Sequence, residues 1–168
     1  MPALRAPTAA VRDSFADAAR DLRDEGWLPE FPVEEVAADF DGYVRRVTGE
    51  KEGWGVPIST FWYVDGPDYL GTVIIRHRLT PELTRHGGHI GYHVAPRRRR
   101  QGHATAMLAA AVAYCGEPLG LDRVLVTCDE ANAVSRRVIE ANGGVLENVL
   151  DGECRYWIEP AEEVHREP

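Results

Sequence analysis

The sequence is short of several things, and each shortage removes a class of protein. No stretch approaches the roughly 20 apolar residues that a membrane-spanning helix needs. The opening MPALRAPTAAVRDSF has none of the apolar core that a secretory leader carries. Cysteine is sparse. Cys115, Cys128 and Cys154 are odd in number, widely spaced and without a C-x-x-C pair, which argues against a disulfide framework or a zinc knuckle. They read as reduced, buried thiols. His77, His86, His89, His93 and His103 form no H-E-x-x-H or comparably tight ligand spacing, so no metal is expected. There is no internal repeat and no low-complexity segment. Net positive charge is also missing: the formal charge is -8, the opposite of what a nucleic-acid binder needs. A cytoplasmic protein without membrane or nucleic-acid partners is the expectation these absences leave.

What is present fits one α/β domain over residues 1–168, long enough to bury a sizeable core. The acidic balance favours cationic substrates. Against it, Arg97-Arg98-Arg99-Arg100 is a basic patch with a local task. Ala9 to Glu25 carries Val11, Phe15, Ala18, Ala19 and Leu22 on one stripe, which predicts a helix. Gly26 ends it. Val33 to Val47 carries a second stripe of Val36, Phe40, Tyr43, Val44 and Val47. These helices, within residues 1–50, would shape an acceptor site. Residues 59–159 would form the core. Ser59 to Asp65 and Tyr69 to Leu79 read as a hairpin around Asp65-Gly66-Pro67. A loop follows from Pro81 to Gly88, then a strand from His89 to Ala95, stopped by Pro96. Gly102 to Tyr114 reads as a helix, Asp122 to Cys128 as a strand, and Asn132 to Ala141 as a helix ended by Asn142-Gly143-Gly144. Val145 to Leu150 and Cys154 to Glu159 form a last hairpin, and the tail AEEVHREP is expected to fray.

The chemistry concentrates in HVAPRRRRQGHATAML, His93 to Leu108. A strand ends, a polar loop follows and a helix begins. Helix N-termini leave unpaired N–H groups and carry partial positive charge, which suits a pyrophosphate. Gly102 and Ala104 leave the backbone open to close approach. The arginines add charge at the rim and Thr105 a hydroxyl donor. A plain solvated basic loop is the other reading of this stretch taken alone.

The sequence resembles the GNAT superfamily of N-acetyltransferases. Arg99, Gly102 and Ala104 fill its pyrophosphate signature Q/R-x-x-G-x-G/A, preceded by Val94-Ala95-Pro96 for V-x-P. Asn132, Ser135, Arg136, Glu140 and Gly143 fill a second element one strand later. The resemblance covers about Phe61 to Trp157. It implies a mixed, mostly antiparallel sheet flanked by helices, with splayed strands holding coenzyme A. It also implies acetyl-CoA as co-substrate, bound by Arg99, Arg100, Gln101, Gly102, His103, Ala104, Thr105, Asn132 and Ser135, with Tyr92, His93 and Val94 pairing with pantetheine. A backbone N–H there would face the thioester oxygen as an oxyanion donor. The amine would attack directly, with no cysteine nucleophile.

One departure matters. Many family members place an acidic tyrosine seven residues after the motif asparagine, where this chain has Ile139. Ser135 is the polar replacement on the same helix, equally readable as a small packing residue. Asn132 is equally a helix N-cap. For the base, His89 and His93 share a strand face, with Tyr92 turned away. His89 ranks first, with Glu82 or water as alternatives. Trp54, Trp62 and Tyr63, together with the loops Lys51 to Thr60 and Leu79 to Gly88, are candidate walls of the acceptor site. Glu34, Glu35, Asp39 and Asp41 are either an attraction for a cationic amine or a solvated face. The leading reading is an N-acetyltransferase for a small amine. Acetylation of a protein N-terminus or lysine and a non-catalytic acyl-CoA-binding module stay open, as does a homodimer through the C-terminal hairpin.

Overall fold

The computed structural model describes residues 1–161; the fraying expected of the tail lies, from residue 162 onward, outside the described residues. The chain runs β1 (Ala3–Arg5), α1 (Arg12–Asp24), α2 (Val33–Ala38), α3 (Phe40–Val47), β2 (Lys51–Gly53), β3 (Val56–Asp65), β4 (Asp68–Arg76), α4 (Pro81–Arg85), β5 (Ile90–Val94), α5 (His103–Gly116), β6 (Val124–Asp129), α6 (Ala133–Ala141), β7 (Val145–Leu150) and β8 (Glu153–Ile158). A 3-10 turn at Ala9–Val11 leads into α1. The described cysteines are free and buried.

Two expectations need correction. The stripe from Val33 to Val47 is two helices, because Asp39 leaves helical geometry and its carboxylate accepts from the Gly42 N–H at 3.1 Å, capping α3. The segment Pro81 to Gly88 is not all loop. Thr80 caps α4 by accepting from the Leu83 N–H, and Pro81 occupies the first turn, where its missing N–H costs nothing. The three-residue strands β1 and β2, too short to show a period, add to β3.

Pairing is antiparallel throughout, in two sheets: β1-β3-β4-β5, with β2 also on β3, and β6-β8-β7. Among the described residues, the sheets join at one end of β5. Gly88 bridges Val126, the His89 N–H donates to the Leu125 carbonyl at 2.8 Å, and the Leu125 N–H donates to His89 Nδ1 at 2.9 Å. Gly88 has φ +62°, and a Cβ there would sit 2.4 Å from the Leu125 oxygen. A glycine lets the strands touch at this point. Beyond it, β5 and β6 share no ladder among the described residues, and a gap opens toward Val94.

A core fills each face of the first sheet. On one side Val73, Ile75 and Ile90 pack against Met107, Leu108 and Ala111 of α5, and Ile139 of α6. On the other, Phe15 and Phe40 of the N-terminal helices pack with Trp62 and Tyr69, the Phe15 and Trp62 rings stacked at 4.8 Å. The gap between β5 and β6 is therefore flanked by α5 and α6 on one side and approached by α1 on the other.

Candidate active site

The head of α5 is built to leave its backbone bare. Gly102 takes the left-handed conformation (φ +81°) at the N-cap, no side chain caps the helix, and no acidic residue stands in its first turn. The first N–H groups and the positive end of the dipole face outward. The arginine loop before it is more neutralised than its sequence suggests. Arg99 makes a two-pronged pair with Glu25 (2.9 Å to each oxygen), Arg97 pairs with Asp21 at 2.8 Å, and Arg98 with Asp68 at 3.3 Å. Arg100 has no ion-pair partner among the described residues. Three arginines thus fasten the loop to α1 and to the start of β4.

This turn forms the floor of a cavity of about 550 Å³, with Arg99, Arg100, Gly102, His103, Ala104 and Thr105 below, Tyr92, His93 and Val94 of β5 at one wall, and Asn132 and Ser135 of α6 at the other. Gln101 does not line it. Asn132 uses its carboxamide oxygen to cap α6, accepting from the Ser135 N–H at 3.1 Å. Ile139 is fully buried in the core and lies away from the cavity. Where it offers no hydroxyl, β5 does: Tyr92 Oη lies 2.9 Å from Ser135 Oγ, across the gap between strand and helix. Burial pushes the Tyr92 phenol above its ordinary range, so it is protonated near neutral pH. The sequence motif points to the Tyr92 backbone alone; strand alternation turns its side chain away from His93, toward α6.

On the opposite face of β5, His93 Nε2 lies 3.2 Å from Tyr69 Oη, which in turn bonds Thr72 Oγ1. Trp27 packs on the imidazole at 4.6 Å between ring centroids. Burial, with the Arg99 charge nearby, lowers the His93 pKa to about 4. The same three polar residues and Thr60 border a second cavity of about 230 Å³, otherwise lined by apolar and aromatic side chains including Phe15, Phe31, Tyr43 and Trp62. Leu22 and His93 line both cavities.

Over residues 3–145 the sequence matches the family model of the acetyltransferase (GNAT) domain. The chain belongs to the GNAT acetyltransferase family. Among solved structures, the fold is similar to RimJ of Mycobacterium smegmatis in complex with CoA-disulfide (23% identity, 98% of this chain and 84% of that one, TM-score 0.63). It is similar also to a GNAT-family acetyltransferase from Bacillus anthracis (20%, 96% of each, 0.66) and to spermidine N-acetyltransferase from Vibrio cholerae in complex with CoA and spermine (16%, 95% of each, 0.61). No individually curated protein matches the sequence.

This GNAT protein is therefore an acetyl-CoA-dependent N-acetyltransferase. Its residues suit that donor: an uncapped helix head, a left-handed glycine where no Cβ obstructs, and Arg100 beside them. Other candidates land elsewhere. His89 borders neither cavity; it is 5% exposed, its Nδ1 accepts from the Leu125 N–H, and burial with the nearby Arg76 charge lowers its pKa to about 4. It pins β5 to β6. Glu82 lies on α4, away from both cavities. Trp54 stacks on the Arg76 guanidinium at 4.2 Å, and Tyr63 packs against His103 in the other core. Of the two expected loops, only Thr60 reaches the second cavity. Among the acidic candidates, Asp39 caps α3, Glu34 pairs with Arg23 and Asp41 with Arg12, and none borders a cavity. Among the described residues no group of three or more His, Cys, Asp or Glu could hold a metal, and no helix is long and apolar enough to cross a membrane.

Proposed function

We propose that this enzyme acetylates the primary amine of a small molecule by direct attack on acetyl-CoA. The observation that carries the reading is the meeting of two cavities at His93: a cleft headed by α5 and its arginines, and a smaller, mostly apolar chamber. The N-terminal region supplies most of the chamber, and the core supplies most of the cleft. In this reading the head of α5, with Arg99, Arg100, His103, Ala104 and Thr105, receives the pyrophosphate. The backbone of Tyr92 to Val94 pairs with the pantetheine arm and faces the thioester oxygen. Acetyl-CoA, when bound, supplies the activated acyl group. Tyr92, held by Ser135, protonates the departing sulfur in place of the tyrosine that Ile139 replaces. At about 230 Å³, the chamber falls below the roughly 300–1,000 Å³ of pockets that enclose drug-sized ligands, which supports a small acceptor.

A second reading, acetylation of a protein N-terminus, draws on Trp27 and Leu28, both about half exposed beside the cavities. A thiol-release assay over amines, amino acids and peptides tests the choice. Release with small amines is expected. Release only with peptides would replace the first reading by the second. No release above hydrolysis with any acceptor would leave a non-catalytic acyl-CoA-binding module.

A further inference from the structure

The chamber says what kind of amine it takes. Its walls come from α1 (Phe15, Leu22), the following loop (Phe31), α3 (Tyr43) and β3 (Trp62), and not one Asp, Glu, Lys or Arg borders it. Three of its polar side chains, Thr72, Tyr69 and His93, form a hydrogen-bonded row that ends at His93, where it meets the cleft; Thr60 and the Tyr43 phenol stand outside this row. A polycation here would lose its hydration with no carboxylate to replace it, a cost of several kcal/mol per ion in protein interiors. An aryl or alkyl group would gain by covering the aromatic walls. The chamber thus has an apolar end for a body and a polar end for a nitrogen, next to the cleft where the acetyl group must arrive.

We propose that the acceptor is a monoamine with an uncharged aryl or alkyl body, and that it enters the chamber as the neutral free base. This rests on the acetyltransferase reading above and sharpens it. The amine lone pair forms the new bond to the carbonyl carbon and the carbon–sulfur bond breaks. The nitrogen releases one proton to bulk water. The sulfur takes one from Tyr92, which is refilled from bulk water. No strong base is needed in the chamber, because the ammonium proton is left behind in solvent. The titratable groups facing the amine are Tyr43 on α3, Tyr69 on β4 and His93 on β5, with the Arg99 charge acting on His93. α1 and β3 present none. The pH dependence is therefore set by the acceptor's own basicity.

The test compares phenethylamine, its less basic β,β-difluoro analogue, spermidine and an alanine-led peptide in a thiol-release assay with the wild-type enzyme between pH 6 and 10. Phenethylamine is expected to exceed spermidine by about 100-fold or more in kcat/KM, from the cost of desolvating an unpaired ammonium. The rising limb of kcat/KM is expected to move to lower pH with the difluoro analogue, by the difference between the two amines' pKa values. Spermidine or the peptide matching phenethylamine would overturn the apolar body while sparing the acetyltransferase reading. A limb that stays put would overturn free-base binding. If no amine turns over, calorimetry on the CoA-loaded protein still decides. Preference for phenethylamine supports the chamber's selectivity even as the catalytic reading fails, and preference for spermidine, or equal binding, overturns it. Phe31→Asp, checked for its folding by circular dichroism, is expected to narrow the ratio at least tenfold; an unchanged ratio in the folded variant would overturn the role of the chamber's neutrality.

Discussion

The cleft at the head of α5 and the chamber beneath α1 and α3 share Leu22 and His93 and are built in opposite ways. The cleft is made around the bare backbone at the head of α5 and, apart from Leu22 and Trp27, from two short stretches of chain, 92–105 and 132–138. Its donors are helix N–H groups, arginines and an asparagine. The chamber is made from side chains of α1, α3, β3, β4, β5 and a loop, brought together only by folding, and most of them are apolar. A site built from backbone tolerates little but glycine or alanine at its closest points, so its ligand is fixed. A site built from side chains can be rewritten one residue at a time. In the proposed reading the donor is thus anchored and the acceptor adjustable, with His93 as the seam.

Breaking the cleft should leave the chamber intact. Gly102→Glu places a carboxylate where phosphate would approach and forces a side chain into left-handed backbone, which costs about 1–2 kcal/mol in itself. Coenzyme A affinity is expected to fall more than about 100-fold, like charge replacing a helix-terminus anion site, while calorimetric binding of phenethylamine is retained. Gly102→Ala separates the two effects: nothing lies within 4 Å of the new Cβ, so it should lose stability without losing much affinity. Equal coenzyme A binding by Gly102→Glu and wild type would remove the cofactor from this cleft.

Removing the proposed proton donor is the next largest effect. Tyr92→Phe keeps the ring in its packing and removes the hydroxyl. It is expected to lower kcat by about 100-fold, the lower range for a general acid, with coenzyme A affinity nearly unchanged. Ser135→Ala, which removes only the partner at 2.9 Å, should cost about tenfold, the worth of one supporting hydrogen bond. Parallel losses of rate and affinity would make the pair a binding feature instead.

The seam has a titration of its own. His89 and His93 are both held near pKa 4 by burial, against about 6.5 in an unfolded chain. Between these values the unfolded chain binds up to two more protons than the native one. Stability is therefore complete above about pH 6.5 and declines as pH falls toward 4. Urea melts at pH 7, 6 and 5 should show it, and His93→Gln should make the decline shallower by close to one proton. An unchanged slope in that variant would mean that His93 titrates normally in the native state.

How much of this was legible in the sequence follows the same division. The turn Arg99 to Ala104 and the helix of Asn132 could be read because their task is local: residue types at fixed spacing, on contiguous chain. Most elements could be placed by period. Asp39 could not be read as a break, since the apolar stripe of Phe40, Tyr43 and Val47 continues the phase of Val36; what interrupts it is a carboxylate folding onto the Gly42 N–H. His89 and His93 looked equivalent by spacing. The Gly88 contact with Leu125 separates them, drawing His89 into the join of the two sheets. Tyr92 meets Ser135 only because β5 and β6 part, a consequence of pairing between distant strands that no local pattern records.

The smallest effect probes how the two regions are tied together. Arg97 and Arg99 reach from the cleft's loop to Asp21 on α1, the helix that walls the chamber, and to Glu25 at its C-terminal cap. Both pairs are substantially exposed, so each should stabilise the fold by no more than about 1 kcal/mol. Arg97→Ala, whose side chain does not border the cleft, is expected to shift stability by only that much and to leave coenzyme A affinity within about twofold. Arg99→Ala should cost no more stability, yet lower the affinity severalfold, since its guanidinium borders the cleft as well as fastening the loop. The discriminating measurement is the ratio of affinity change to stability change for the two variants at low and high salt. If Arg97→Ala weakens coenzyme A as much as Arg99→Ala does, the arginine run acts on the ligand through the posture of α1, and the cleft and chamber are less independent than their construction implies.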